Sequence, residues 1–218
     1  MEIYLDGSSV QVEGKWYGSN VFAVVGDNEV LWQEKYYQPG GTIGLMELRA
    51  LLNAMEYVKD NARGHVDIYS DSEYVVKGAT QWLEQWIKND FLNVKHVMVW
   101  KHILMLQQSV LSLGVTVNIK WVKAHSGNLW NDYVDNEAKK YLGCHCGRDT
   151  SEREIGSMPM SLIDTIHNFG LMPVTSAGER NGWEAMLYKV EKMERKINEE
   201  FSNLKKEIVN EIKNSKNH

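Results

Sequence analysis

A mixed α/β fold is what the first two-thirds of this 218-residue chain predict: a five-stranded sheet of three antiparallel strands and two parallel additions, flanked by helices. Three observations carry that expectation. Residues 2 to 7 alternate, with Ile3 and Leu5 on one face and Tyr4 and Asp6 on the other, as in a strand bordering a core. From residue 46 the apolar period lengthens to that of a helix. Two further short apolar runs, "HVDIYSD" and "VTVNIKWV", then alternate with helical segments, the pattern of a sheet with interleaved helices.

The elements follow in order. "NVFAVVG" and "VLWQEKYY" are the second and third strands, joined through Asp27-Asn28, a pair suited to a tight hairpin turn. After the breaker "QPGGTIG", residues 46 to 59 place Leu48, Leu51, Leu52, Met55 and Val58 on one helical stripe, with Glu47 in the first turn. Ser72 or Thr80 can cap short helices, and "VWKHILMLQQSVLSL" is a helix that ends at Gly114. The last helix of the unit starts after Asn128, with Trp130, Val134, Ala138 and Tyr141 as its buried stripe.

Composition sets outer limits. Hydrophobic residues make up 43% and charged residues 24%, enough apolar material for a substantial core and too much for a wholly disordered chain. No apolar run approaches the roughly 18 residues that span a bilayer, and the start "MEIYLDGSS" resembles no leader, so an intracellular, cytoplasmic protein is expected. Cys144 and Cys146 stand too close to staple a fold. As half of a zinc site with His167 they lack the remaining ligands and the usual spacing. The formal net charge is −5, and residues 1 to 142 hold 13 Lys or Arg against 17 Asp or Glu. A polyanion partner must therefore be held locally or through metal ions.

Four acids occupy places where such a sheet could gather them: Asp6 late in the first strand, Glu47 early in the first helix, Asp71 at the end of the fourth strand and Asp135 on the last helix, beside His125. Two carboxylates ~5 Å apart at an effective dielectric of ~20 repel by roughly 3 kcal/mol. Hard divalent cations remove that cost, and Mg²⁺ with carboxylates, water and phosphate oxygens points to phosphoryl transfer. By spacing alone Asp132 competes with Asp135, one turn away on the same helix.

At this point five blocks in order, "IYLDGSS", "MELRALLNAMEYV", "IYSDSEYVVKG", "TQWLEQW" and "WVKAHSGNLWNDYVDNEAKK", resemble type 1 ribonuclease H over about residues 1 to 142. The resemblance implies the RNase H-like fold and metal-dependent endonucleolytic hydrolysis of the RNA strand of RNA–DNA hybrids, giving 5′-phosphate and 3′-hydroxyl ends. It implies two Mg²⁺ ions, with Mn²⁺ able to substitute, held by Asp6, Glu47, Asp71 and Asp135, with His125 assisting proton transfer or product release. The family's histidine-to-aspartate spacing favours Asp135 over Asp132. Asn131, Ser8, Thr42, Trp82, Trp86 and Lys88 are the candidate substrate contacts, although Trp82 and Trp86 at i, i+4 are more often packing residues. The alternatives are a non-catalytic hybrid-binding or scaffolding module of the same fold, or another nuclease of the superfamily. Both the exonuclease pattern Asp-x-Glu and the Asn-Asn pair common before the helix glutamate are absent: this chain has Asp6-Gly7-Ser8 and Ile43-Gly44. The segment "IKNDFLNVKHVMVW" is also shorter and less basic than the substrate-gripping protrusion of many members.

Beyond residue 142 the reading is a linker over 143 to 157 and a helical extension over 158 to 218, with "SLIDTIHNFGLMPV" as a short docking helix. Residues 183 to 213 form a long helix whose stripe, Val190, Met193, Ile197, Phe201, Leu204, Ile208 and Ile212, needs a partner surface. It is expected either to form a coiled coil with a second copy or another protein, or to pack on the catalytic domain. Its mixed charges disfavour a dedicated polyanion clamp.

Overall fold

The structure is a computed structural model that describes residues 1–146, 192, 195–208 and 210. The expected docking helix and most of the expected linker lie outside the described residues. Compact packing divides the chain into two units, Met1–Trp86 with Leu106–Asp149, and Ile87–Met105 with Thr150–His218. Among the described residues no helix is long and apolar enough to cross a membrane.

The first unit is built on a five-stranded sheet in the order β3-β2-β1-β4-β5. β1 (Glu2–Val12), β2 (Lys15–Gly26) and β3 (Glu29–Pro39) are antiparallel neighbours, and β4 (His65–Ser70) and β5 (Thr116–Trp121) are added parallel on the far side of β1. This is the expected mixed sheet. Asp27 and Asn28 both take positive φ, 51° and 60°, as a two-residue hairpin requires. Glu13-Gly14 does the same between β1 and β2, which extends both strands well beyond their apolar runs.

Each face of the sheet carries one long helix. Alternation sends Tyr4, Val21, Ala23 and Val25 to the face covered by α5 (Leu129–His145), where they meet Val134 and Ala138. The opposite face, including the fully buried Ile3, Leu5 and Phe22, is covered by α1 (Ile43–Asn61), and the Phe22 ring lies 5.5 Å from that of Tyr57. The fully buried residues of α5 are Asn131, Val134, Ala138 and Leu142, so the expected stripe is rotated: Trp130 and Tyr141 are only half buried. Spacing alone cannot choose between neighbouring stripes, and the hydroxyl of Ser19, donating to the Ala138 carbonyl at 2.7 Å, fixes the one observed.

Two helix starts differ in chemistry. Asn128 caps α5 by accepting from the N–H groups of Trp130 and Asn131 at 3.2 and 3.1 Å. Asn128→Ala should cost about 1 kcal/mol, read as a shift of the urea midpoint with unchanged slope. α1 begins at Ile43 rather than near residue 46, and Thr42 makes no side-chain cap. Glu47 therefore stands in the second turn, a correction to the expected boundary. After α2 (Glu73–Lys77), residues Gly78–Trp82 widen into a π-helical turn before α3 (Leu83–Lys88), and Thr80 donates back to the Val76 carbonyl instead of capping. α4 (Val97–Ser112) ends as expected before Gly114, which takes φ 76°.

In the second unit, residues 195–208 are helical and bury Ile197 and Phe201 from the expected stripe. The Phe201 ring stands edge-on to Phe91 at 5.5 Å, and the Lys101 ammonium lies 4.7 Å above it. The stripe has an intrachain partner at these positions.

Candidate active site

Asp6 sits in the central strand on the same face as Tyr4 and is only 6% exposed. Its Oδ1 accepts from the Gly7 N–H at 2.7 Å. Burial, then the negative charge of Asp71, pushes its pKa up to about 8; Asp135 and Glu47 add to the rise, and the Gly7 hydrogen bond opposes it. Asp6 thus feels the charges of Asp71, Asp135 and Glu47.

Glu47 reaches that region because the sheet lets α1 come close. A Cβ on Gly7 would stand 2.4 Å from the Glu47 backbone nitrogen, so only glycine admits the helix there. The Glu47 carboxylate accepts from the Ser72 hydroxyl at 2.7 Å. Burial raises its pKa first, the Ser72 bond lowers it, and Asp71 raises it further. Ser72 also caps α2 by accepting from the Val75 N–H, so one hydroxyl ties α1, the end of β4 and the next helix together.

Asp71 follows β4 directly and is held at both ends. Its carbonyl accepts from the Trp121 indole N–H at 3.0 Å, and its Oδ2 accepts from the Asn131 amide at 3.1 Å. Asn131 is 1% exposed, so a group expected to meet substrate instead braces Asp71 from inside α5. Asp135 lies one turn further along α5. It pairs with Lys139 at 2.6 Å, and its Oδ2 is 3.8 Å from Nδ1 of His125, too long for a hydrogen bond but within electrostatic reach. His125 takes a left-handed φ of 50° and leaves 71% of its side chain in solvent. Asp132 has an Oδ1 that is buried without a hydrogen-bond partner, whereas Asp135 is the α5 acid that acts on Asp6.

The remaining candidates are more scattered. Ser8 is half buried in β1 opposite Ser19, and Thr42 keeps its hydroxyl free of capping duty at the start of α1. Trp82, Trp86 and Tyr74 pack ring against ring at 5.7 to 6.5 Å, with Trp82 37% exposed, while Lys88 is exposed at the end of α3. Trp121 and Gly7 lie inside the quoted blocks, but their structural parts emerge only from tertiary contact.

Among the described residues, no three His, Cys, Asp or Glu side chains converge as a ready-made ligand set, and no Lys or Arg forms an ion pair with Asp6, Glu47 or Asp71. The arrangement gathers negative charge and leaves three of its four acids uncompensated.

Comparison with known proteins agrees with this geometry. Residues 1–142 match the sequence model of the family described as RNase H. A ribonuclease H of Neorickettsia sennetsu is 33% identical over 138 residues, which span 63% of this chain and 89% of that protein. A ribonuclease HI of Helicobacter pylori is 32% identical over 139 residues, 64% of this chain and 90% of the other. Among solved structures, the crystal structure of LC9-RNase H1, described as a type 1 RNase H with the type 2 active-site motif, superposes with a TM-score of 0.54 at 20% identity, over 66% of this chain and 72% of that one. The solution structure of the PFV RNase H domain gives 0.53 at 22%, over 66% and 92%. These two likenesses are of fold.

Proposed function

The chain belongs to the RNase H family as a type 1 ribonuclease H, and from that premise we propose that it cuts the RNA strand of RNA–DNA hybrids internally, with two divalent cations, Mg²⁺ or Mn²⁺, held by Asp6, Glu47, Asp71 and Asp135. The products would be 5′-phosphate and 3′-hydroxyl ends. The observation that carries this reading is Asp6: a carboxyl 6% exposed, whose pKa burial and the charges of Asp71, Asp135 and Glu47 push up to about 8.

That residue set fits hard cations. All four donors are carboxylate oxygens, the class Mg²⁺ and Mn²⁺ prefer. Their uncompensated repulsion is what a cation would relieve. Bound there, the ions would sharpen the attacking water and offset charge on the leaving oxygen.

The chain's own groups have separable tasks. Ser72 and Asn131 fix the orientations of Glu47 and Asp71 with neutral hydrogen bonds, which adds no competing positive charge. Lys139 on Asp135 moderates the net charge at one side. His125, exposed and 3.8 Å from Asp135, would carry a proton between solvent and the phosphate. Domain organisation follows the same reading: residues 1–142 hold the proposed site, and the residues beyond form an extension.

End-labelled RNA–DNA hybrid, duplex RNA, duplex DNA and single strands incubated with Mg²⁺, Mn²⁺ or EDTA test the proposal. Cleavage should be confined to the RNA of the hybrid and vanish in EDTA. Cutting of duplex DNA, or cutting that persists in EDTA, would overturn it.

A further inference from the structure

The second unit contains a cleft of about 490 Å³ that the proposed reaction does not use. Lys101, Lys205 and Lys206 bring three ammonium groups to it against the single carboxylate of Asp90, and Asn198 and Ser202 add neutral polar groups. The helical period explains why lysines meet there although the segment mixes signs. At about 100° per residue, positions 198, 202, 205 and 206 share one side of the helix, while Glu200 and Glu207 fall roughly opposite. Glu200 pairs there with Lys196 at 3.6 Å. A composition that looks balanced along the sequence sorts into a lysine-rich side, bordered by Glu199 next to Lys206, and a mixed side.

Counting donors shows what the cleft still lacks. The Lys101 ammonium gives one N–H to Asn198 Oδ1 at 2.9 Å and lies over the Phe201 ring, which leaves it a donor to spare. With its oxygen turned to Lys101, Asn198 has its amide N–H groups for another acceptor. Ser202 spends its hydroxyl proton on the Asn198 carbonyl at 2.8 Å. Asp90 neutralises Lys205 in an ion pair, and Lys206 makes no ion pair among the described residues. Among the described residues that line the cleft, three ammonium groups thus face one carboxylate. Burial lowers the pKa of Lys101, Asp90 raises it and the nearby Lys205 lowers it again, so Lys101 and Lys205 share the single carboxylate of Asp90.

Phe201 lines the floor of the cleft but is only 5% exposed, so the groups that reach a ligand there are the ammonium and amide donors, and the complement is an oxyanion recognised by charge. Phosphodiester oxygens meet that description, whereas a peptide carboxylate would need side-chain pockets to bind with any specificity. We propose that this cleft is a phosphodiester-binding site, through which the C-terminal helix grips a nucleic-acid backbone. The choice of nucleic acid rests on reading the chain as a hybrid nuclease.

The full chain, with Ca²⁺ in place of Mg²⁺ to hold back cleavage, is titrated against fluorescent RNA–DNA hybrid by anisotropy across a range of NaCl concentrations. Lys206→Gln should weaken binding several-fold near roughly 0.1 M salt and reduce the slope of log Kd against log salt by about 1. Lys196→Gln removes the same charge from the other face and should leave that slope unchanged, with circular dichroism checking that both variants fold. An unchanged slope in Lys206→Gln, an equal change in both variants, or a wild type that binds no hybrid would overturn the site. Cleavage in Mg²⁺ is scored separately. A protein that cuts hybrid with an unchanged slope loses only the cleft, and one whose slope falls in Lys206→Gln but that never cuts loses only the nuclease reading.

Discussion

Asp6→Asn should abolish hybrid cleavage, by about three orders of magnitude or more, and at the same time make the metal-free protein more stable. Both effects come from the same negative charge. Removing it takes away a carboxylate that would help hold the proposed cations, and losing electrostatic stabilisation of this kind costs at least 10²- to 10³-fold. Yet in the metal-free fold that carboxylate is almost fully buried, and its pKa of about 8 lies well above the ordinary aspartate range of about 4. The sign follows from proton linkage: the folded state holds this proton more tightly than the unfolded chain does. Stability is therefore highest below about pH 4 as far as this group is concerned, and it drains away as pH rises toward 8. A shift of about four units corresponds to roughly 5 kcal/mol at most, and relaxation with water entry brings the expectation nearer 2–3 kcal/mol. An amide can still accept from the Gly7 N–H and carries no charge to neutralise. Urea denaturation in EDTA should accordingly show wild type losing stability between pH 5.5 and pH 8 while Asp6→Asn loses less, and excess Mg²⁺ should restore only the wild type. A variant that retains a tenth of the activity, or that is no more stable than wild type at pH 8, would contradict the picture of an uncompensated buried carboxylate.

Most of this site was legible before any coordinates. Asp6 and Asp71 lie in or just after strand-like runs, whereas Asp135 is told from Asp132 only through the ordered blocks. Glu47, expected in the first turn of its helix, stands in the second. Gly44 and the Pro-Gly-Gly run read as loop, and Thr42 turns out to start the helix without the side-chain bond that would have announced it. Asn131 was misjudged for a different reason. A polar residue at a helix start is ordinarily solvated, and only its contact with Asp71, 60 positions away in the chain, removes it from water. The same limit applies to residues 195–208. Their apolar stripe was visible, but the sequence gives no local sign that Phe201 meets Phe91, or that Lys205 and Lys206 share a cleft with Lys101. Periodicity reports a face that needs covering; it does not report what covers it or how charges sort around it.

Gly7→Ala is expected to damage both stability and turnover, against the ordinary preference of a strand for any side chain over none. Alanine in an open strand position would gain roughly 0.5–1 kcal/mol. Here its Cβ would lie 2.4 Å from the Glu47 nitrogen, 2.6 Å from the Met46 carbonyl carbon and 2.8 Å from Met46 Cβ. Two of those atoms are helix backbone, so no single rotamer change relieves the overlap; α1 must move off the sheet. Overpacking of this type costs about 1–3 kcal/mol. The displaced atoms belong to Glu47 and its neighbour, and a shift near 1 Å in a positioned group is enough to lower turnover about 10²-fold. Gly44→Ala supplies the contrast within the same helix. Nothing lies within 4 Å of a Cβ there, and φ is not left-handed, so the substitution should stabilise by roughly 0.5 kcal/mol. Urea midpoints moving in opposite directions for these two glycines, with a large fall in kcat for Gly7→Ala, would tie the approach of α1 to the reaction. Gly7→Ala with wild-type kcat would mean that Glu47 does not need the close contact that this strand glycine permits.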